Sequence, residues 1–319
     1  MVEGSVQSLE HGLRSMESAH LDGGAGRIRV ALLTGGEDRH YAYGLTFGLV
    51  GQGVAIDFIG SDELEGPEIR TTSAITFLNL RGSHDRHASL TEKVGRVARY
   101  YARLIAYAAS TPTEIFHILW NNKVETFDRT LLMLYYRALG KKVVLTAHNV
   151  NPSRRGAKDT LLSRLTLRVQ YKLCDQVFVH TPRMKQQLAH EFSIARDRVT
   201  VIPYGINNAV PSTSLTPAEA KQHFGIEPAD RTILAFGNIG PYKGLEYLAA
   251  ALDALLARDA RYRLLVAGTP KPGATAYWQA IATTLEPHVR SGRALLHIRH
   301  IPDSEAELYF KAADVLVLP

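Results

Sequence analysis

A chain of 319 residues, 45% hydrophobic and 21% charged, has the size and balance of a two-domain globular protein that folds without covalent staples. Its single cysteine, Cys174, excludes a disulfide framework and every multi-cysteine zinc pattern, and fits a reducing, cytoplasmic setting. A formal net charge of +6 suits anionic partners such as nucleotide phosphates, an acidic membrane surface or nucleic acid, without choosing among them.

Residues 1–26 are polar, contain no signal-peptide apolar region and end in DGGAG, which reads as a flexible tail. From Arg27 onward, apolar runs of strand length alternate with segments of helical period. Strands are expected over 28–34, 54–60, 74–80, 115–120, 143–148, 176–180 and 199–203, with helices near 41–51, 89–109, 124–139, 159–173 and 182–192. Several strands are Val, Ile and Leu runs without alternation, the pattern of strands covered on both faces. The order therefore implies a parallel sheet flanked by helices, α/β in class.

Pro, Ser and Thr break the rhythm over 208–231, a linker leading into a short helix. A second alternation follows, with strands at 232–237, 262–268, 294–300 and 314–319 and helices at 243–257, 274–287 and 303–313. The domains so defined are 27–207 and 232–319, each a doubly wound, Rossmann-like unit. A six-stranded unit would need two more strands after Pro319, so the second is expected to be incomplete and the chain truncated at its carboxyl end. No apolar run reaches the roughly 18 residues of a membrane span.

Chemistry is expected at the carboxyl ends of strands, where open α/β sheets bind ligands. In FGNIGPYKGLEYLAAAL, Gly237, Gly240 and Gly244 allow close backbone approach, and Lys243 stands where the next helix begins. The stretch reads equally as a diphosphate site or as a glycine-rich turn with a solvated lysine. It matches neither a Walker loop nor a dinucleotide fingerprint. Gly35 and Gly36 form a second glycine site, in the corresponding position after the first strand.

His148 ends another buried strand, placed to touch a substrate hydroxyl or to be tied up within its loop. Trp120, Asn121 and Asn122 suit either a sugar ring or a capped turn. Between Arg154 and Lys172, the basic residues Arg154, Arg155, Lys158, Arg164, Arg168 and Lys172 accompany an apolar arc of Leu161, Leu162, Leu165 and Val169. That pattern fits an anionic membrane surface, or a core-facing helix with a solvated basic edge. No metal-ligand cluster stands out, and no interleaving of aromatic and basic residues marks a nucleic-acid binder.

Four stretches together carry a resemblance. TGGEDRHYAYGLTFGLVGQGVAIDFIG, DQVFVHTPRMKQQLAHEFSIARDRVTVIPYGIN, ILAFGNIGPYKGLEYLAAAL and IPDSEAELYFKAADVLVLP follow in order the opening strand and double glycine, the V-x-V-I-P passage, the G-R-x-x-x-x-K-G loop and the run toward the acidic motif of family 4 glycosyltransferases. The chain from about Arg27 to Pro319 resembles that family, whose GT-B fold sets two Rossmann-like domains across a cleft.

The resemblance implies retaining transfer of a sugar from a nucleoside-diphosphate sugar to a glycan or lipid-linked acceptor, without a cofactor or catalytic metal. It implies an enzyme at the cytoplasmic face of a membrane, peripheral and without nucleic acid as partner. Under it, Lys243 neutralises the donor diphosphate, Gly35 and Gly36 approach that diphosphate, and His148 contacts the donor sugar. Gly268 and the turn holding His300 and Ile301 lie near the nucleoside, and Trp120, Asn121 and Asn122 lie on the acceptor side. Three departures stand out: Asn238 replaces the family's arginine before the lysine, Asn207 stands where an aspartate is common, and the acidic E-x7-E motif would lie beyond Pro319. Those departures leave open a non-catalytic nucleotide-sugar-binding partner of a transferase, and a GT-B nucleotide-sugar epimerase is the rival among enzymes.

Overall fold

The computed structural model describes residues 27–35, 38–83, 89–151, 160–205 and 210–318. Two compact units divide the chain, Met1–Ile206 and Asn207–Pro319.

The first unit is built on seven strands: β1 (Arg29–Leu33), β2 (Ala55–Gly60), β3 (Ile75–Asn79), β4 (Ile115–Ile118), β5 (Lys142–Ala147), β6 (Gln176–Val179) and β7 (Val199–Val201). They pair in the order β3-β2-β1-β4-β5-β6-β7, every pair parallel. Its helices are α1 (Arg39–Gly51), α2 (Pro67–Thr71), α3 (Leu90–Ser110), α4 (Glu125–Arg129), α5 (Leu131–Ala138), α6 (Leu161–Leu173) and α7 (Pro182–Phe192). The unalternating strands are explained by two cores: Val30, Leu32, Ile56 and Phe58 pack in one, Ala31, Phe116, Val143 and Val177 in the other.

The order reverses direction between β1 and β4, so this sheet's crevice for a ligand opens at the carboxyl ends of those two strands.

In the second unit, β8 (Arg231–Phe236), β9 (Tyr262–Ala267), β10 (Ala294–His297) and β11 (Val315–Leu316) form a parallel sheet of order β10-β9-β8-β11. Its helices are α8 (Pro217–His223), α9 (Leu245–Arg258), α10 (Thr275–Arg290) and α11 (Asp303–Ala312). The linker helix of the sequence reading, α8, is part of this unit's core. Ala220, Phe224 and Ile226 pack with Leu234, Leu265 and Tyr309, and Thr216 and Glu219 close a capping box at its start.

Three expectations are corrected by the packing. The helix expected over 124–139 is two helices, because Thr130, with φ −123° and ψ −86°, leaves the helical region. The helix expected from Lys243 starts at Leu245: Pro241–Lys243 is a separate 3-10 turn, and Gly244 at φ 63° joins the two. The apolar arc of α6 does not face the core. Leu161, Leu162 and Leu165 are 87%, 60% and 59% exposed, while Thr166, Leu167, Gln170 and Tyr171 are buried.

Candidate functional site

Gly35 follows β1 with φ 62°, and an added Cβ would lie 2.8 Å from Trp120 Cβ and 2.9 Å from its carbonyl oxygen. Glycine is therefore required there by the close approach of the β1 and β4 ends, on the crevice of the sheet. Gly36 lies outside the described residues.

Trp120 stacks face to face on His148, ring centroids 4.4 Å apart and planes 5° apart, so one face of the indole is already covered. Tyr41 stands edge-on to His148 at 4.6 Å. His148 Nδ1 is 3.0 Å from Nε2 of His180, whose Nδ1 is 3.1 Å from the Ile202 carbonyl oxygen. A carbonyl oxygen only accepts, so His180 Nδ1 donates to it. As the Nδ1–H tautomer, His180 then accepts at Nε2 from His148 Nδ1–H. This assignment leaves Nε2 of His148 buried with a lone pair and no partner at hydrogen-bond distance, while the Leu119 backbone beside the ring favours its protonated form. Burial, and then the neighbouring His180, push the His148 pKa down to about 4, so the ring is neutral at physiological pH.

His117, on β4, is buried, hydrogen-bonded by Nε2 to Thr146 Oγ1 at 2.8 Å, and burial lowers its pKa to about 3.

The turn after β4 is fixed from below. Asp128 accepts from the Asn122 backbone N–H at 2.7 Å and from the Tyr101 hydroxyl at 2.8 Å. Asn121 exchanges two amide hydrogen bonds with Gln170 of α6. His148 and Trp120 wall two cavities of this unit. One, of about 340 Å³, extends from Leu119 along the turn to Tyr171, and the other, of about 370 Å³, is walled also by Asp38 and Tyr204.

In the second unit, Gly237 (φ 100°) and Gly268 (φ 147°) meet back to back, with an added Gly268 Cβ only 1.9 Å from the Gly237 carbonyl oxygen. The pair holds the β8 and β9 ends together, and the bridge between Ile239 and Pro270 extends that contact. Asn238 is exposed, and Lys243 is half-buried with no hydrogen-bond or ion-pair partner for its ammonium among the described residues. Tyr277 donates to the Glu246 carboxylate in the first turn of α9, a neighbour of that loop the sequence reading did not name. Lys271, its ammonium 4.4 Å from the centre of the Tyr242 ring, is a second cation on these loops. The signal for it, a lysine in the Pro- and Gly-rich stretch GTPKPG after a strand, is present in the sequence.

Ile301 packs in the second core, and His300 is exposed. The basic residues Arg164, Arg168 and Lys172 lie exposed on α6, while Arg154, Arg155 and Lys158, like Asn207, fall outside the described residues. Among the described residues no group of three or more His, Cys, Asp or Glu could hold a metal ion, and no helix is long and apolar enough to cross a membrane.

Two parallel α/β units of this build define the GT-B class. The catalytic domain of starch synthase IV from Arabidopsis thaliana, bound to ADP and acarbose, matches with TM-score 0.63 at 12% identity, over 92% of this chain and 78% of that one. Anabaena Alr3699/HepE in complex with UDP and glucose matches with TM-score 0.61 at 13% identity, over 91% and 73%. The profile of Glycosyltransferase Family 4 matches residues 39–210, more than half of the chain, and the chain belongs to that family. D-inositol 3-phosphate glycosyltransferase of Corynebacterium efficiens is 27% identical over 189 residues, 56% of this chain. The match spans 44% of that relative, less than half its length.

Proposed function

We propose that the chain serves retaining transfer of a sugar from a nucleoside-diphosphate sugar to a hydroxyl of a glycan, polyol or lipid-linked acceptor. The observation that carries this reading is the Lys243 ammonium, without a partner among the described residues and set among glycines at the carboxyl end of β8, where the second sheet also reverses direction. A half-buried cation without a counter-ion suits a diphosphate, and the leaving diphosphate gains charge as the glycosidic bond breaks. Family membership supports the reaction class, and the HepE and starch synthase complexes named above support a nucleoside diphosphate as leaving group. His148, neutral and at the end of β5, suits the transferred sugar better than it suits a phosphate. No catalytic metal or cofactor is required in this scheme, because Lys243 supplies the positive charge, with the neutral Asn238 amide on the same small cavity. The curated relatives are named for inositol 3-phosphate, which favours a small polyol acceptor over a polymer.

The exposed apolar arc and basic residues of α6 suit a peripheral contact with an anionic membrane, on the cytoplasmic side.

Lys243→Ala tests the donor assignment. Loss of one charge-assisted contact should weaken nucleoside-diphosphate binding about ten- to hundredfold and leave nucleoside binding nearly unchanged. Equal losses for both ligands would refute the phosphate role of Lys243.

A further inference from the structure

The outer side of α6 is apolar where a crossover helix should be polar. Leu161, Leu162 and Leu165 lie exposed on it, and the half-buried Val169 continues the row. α5 packs beside α6 and adds the exposed Leu131 and Leu134. Surface leucines scattered singly need no explanation, but five on two neighbouring helices mark an interaction surface. Arg164, Arg168 and Lys172, all exposed and four residues apart, flank the α6 row, and α6 carries no acidic residue. The surface therefore selects an amphipathic partner with apolar residues at helical spacing and carboxylates beside them.

The chain holds such a partner itself. Residues 1–26 lie outside the described residues, and their sequence sets Val2, Val6, Leu9, Leu13 and Met16 at alternating steps of four and three. That spacing is an a/d heptad, with Val2, Leu9 and Met16 at d. Glu3, Glu10 and Glu17 each follow a d residue, at the e position whose charges meet a partner helix. Four acidic residues (these and Asp22) stand in 1–26 against one arginine, Arg14, opposite in sign to the flank of α6.

The topology brings the two within reach. α6 returns the chain from the carboxyl end of β5 to the amino end of β6, so its last turn lies at the sheet edge where Arg27 leads into β1. β5 is the second strand from β1 in the sheet, about 10 Å away. Residues 17–26 span about 33 Å when extended. A helix over residues 2–16 would be about 22 Å long, against about 20 Å for α6.

We infer that residues 2–16 dock as an amphipathic helix along α6, their apolar stripe on Leu161, Leu162 and Leu165 and their glutamates beside Arg164, Arg168 and Lys172. Gly4 and Gly12 weaken the helix in isolation, so it forms on docking. The docked segment covers the surface proposed above for an anionic membrane and competes with lipid for it. Only that competition rests on the membrane reading.

The test is thiol labelling of the full chain by a bulky maleimide. Cys174 is buried and burial pushes its thiol pKa up, so a thiol introduced by Leu162→Cys reports alone. A short tether gives an effective concentration of about 1 mM, so an intrinsic affinity of about 0.1 mM protects that thiol about tenfold. Labelling should therefore be about tenfold slower than in a chain that also carries Leu9→Asp and Leu13→Asp, changes that touch no described residue. Glu10→Lys with Glu17→Lys should speed labelling several-fold. A thiol from Leu90→Cys, exposed on α3, should label equally fast with and without the segment's changes. Equal rates for Leu162→Cys with and without Leu9→Asp and Leu13→Asp would overturn the inference. So would protection that rises with protein concentration, the mark of a second copy on α6. Each chain is also sedimented with vesicles containing anionic phospholipid. Thiol protection, with several-fold stronger sedimentation once Leu9 and Leu13 are changed, supports both docking and the membrane contact. Protection without sedimentation of any chain supports docking and refutes the membrane contact. Sedimentation without protection does the reverse.

Discussion

Replacing His117 by glutamine should remove most of the acid sensitivity that its ring gives the first unit. Folded, the ring titrates near a pKa of about 3, because burial disfavours its charged form; unfolded, it returns to 6.5. The unfolded chain therefore takes up a proton below 6.5 that the folded chain refuses until about 3. The stability tied to this ring is complete above 6.5 and is lost as pH falls through that window. The loss works out at about 2 kcal/mol by pH 5, a sizeable share of the roughly 5–15 kcal/mol that holds a domain together.

Glutamine keeps an amide to meet the Thr146 hydroxyl but has nothing to protonate. Trp120 lies in the first unit and Trp278 in the second, so a Trp278→Phe background makes fluorescence report the first unit alone. Urea midpoints at pH 8 and pH 5 would then show a fall about 2 kcal/mol smaller in His117→Gln than in its parent. The depressed His148 contributes to both proteins and cancels in the difference. An identical fall in the two would refute the placement of a neutral His117 in the core.

Gly268→Ala should destabilise the second unit by about 2–5 kcal/mol, from strain at φ 147° and the overlap with the Gly237 carbonyl. Urea unfolding read by Trp278 in a Trp120→Phe background checks this, and a loss under about 1 kcal/mol would contradict the packing. The tautomer of His148 is testable by imidazole 15N NMR near neutral pH, with the proton expected on Nδ1; His180→Phe should abolish that preference, and a wild-type ring protonated at Nε2 would break the assignment. Leu161→Asp with Leu165→Asp should reduce co-sedimentation with vesicles containing anionic phospholipid several-fold, and unchanged sedimentation would remove α6 from any membrane contact.

The rhythm of strands and helices was legible in the sequence because buried parallel strands read as unbroken Val, Ile and Leu runs and the helices as amphipathic windows. Strand order was not, since nothing in the composition of β1 or β4 marks them as neighbours at a reversal. That adjacency is what brings Gly35 against Trp120 and Trp120 onto His148. Lys243 and His148 could be picked out because each is a functional residue type next to a strand end. His180 sits in the same position, in VFVHTP, but its value lies in a 3.0 Å contact with a residue 32 positions away, which spacing cannot reveal. Arg129, in ETFDRTLLML, stands at no strand end, and its 3% exposure is set by packing that local pattern does not show. The exposed arc of α6 was misleading in the opposite sense, because periodicity finds an apolar face without saying what covers it.

Use of a nucleoside-diphosphate donor is tested most directly by calorimetric titration of the 319-residue chain with UDP, GDP, ADP and their sugar conjugates. Saturable binding of one base, with the sugar conjugate bound at least as tightly as the bare diphosphate, is the predicted result. A chain shown by circular dichroism to be folded that binds none of them would contradict the donor assignment made for Lys243.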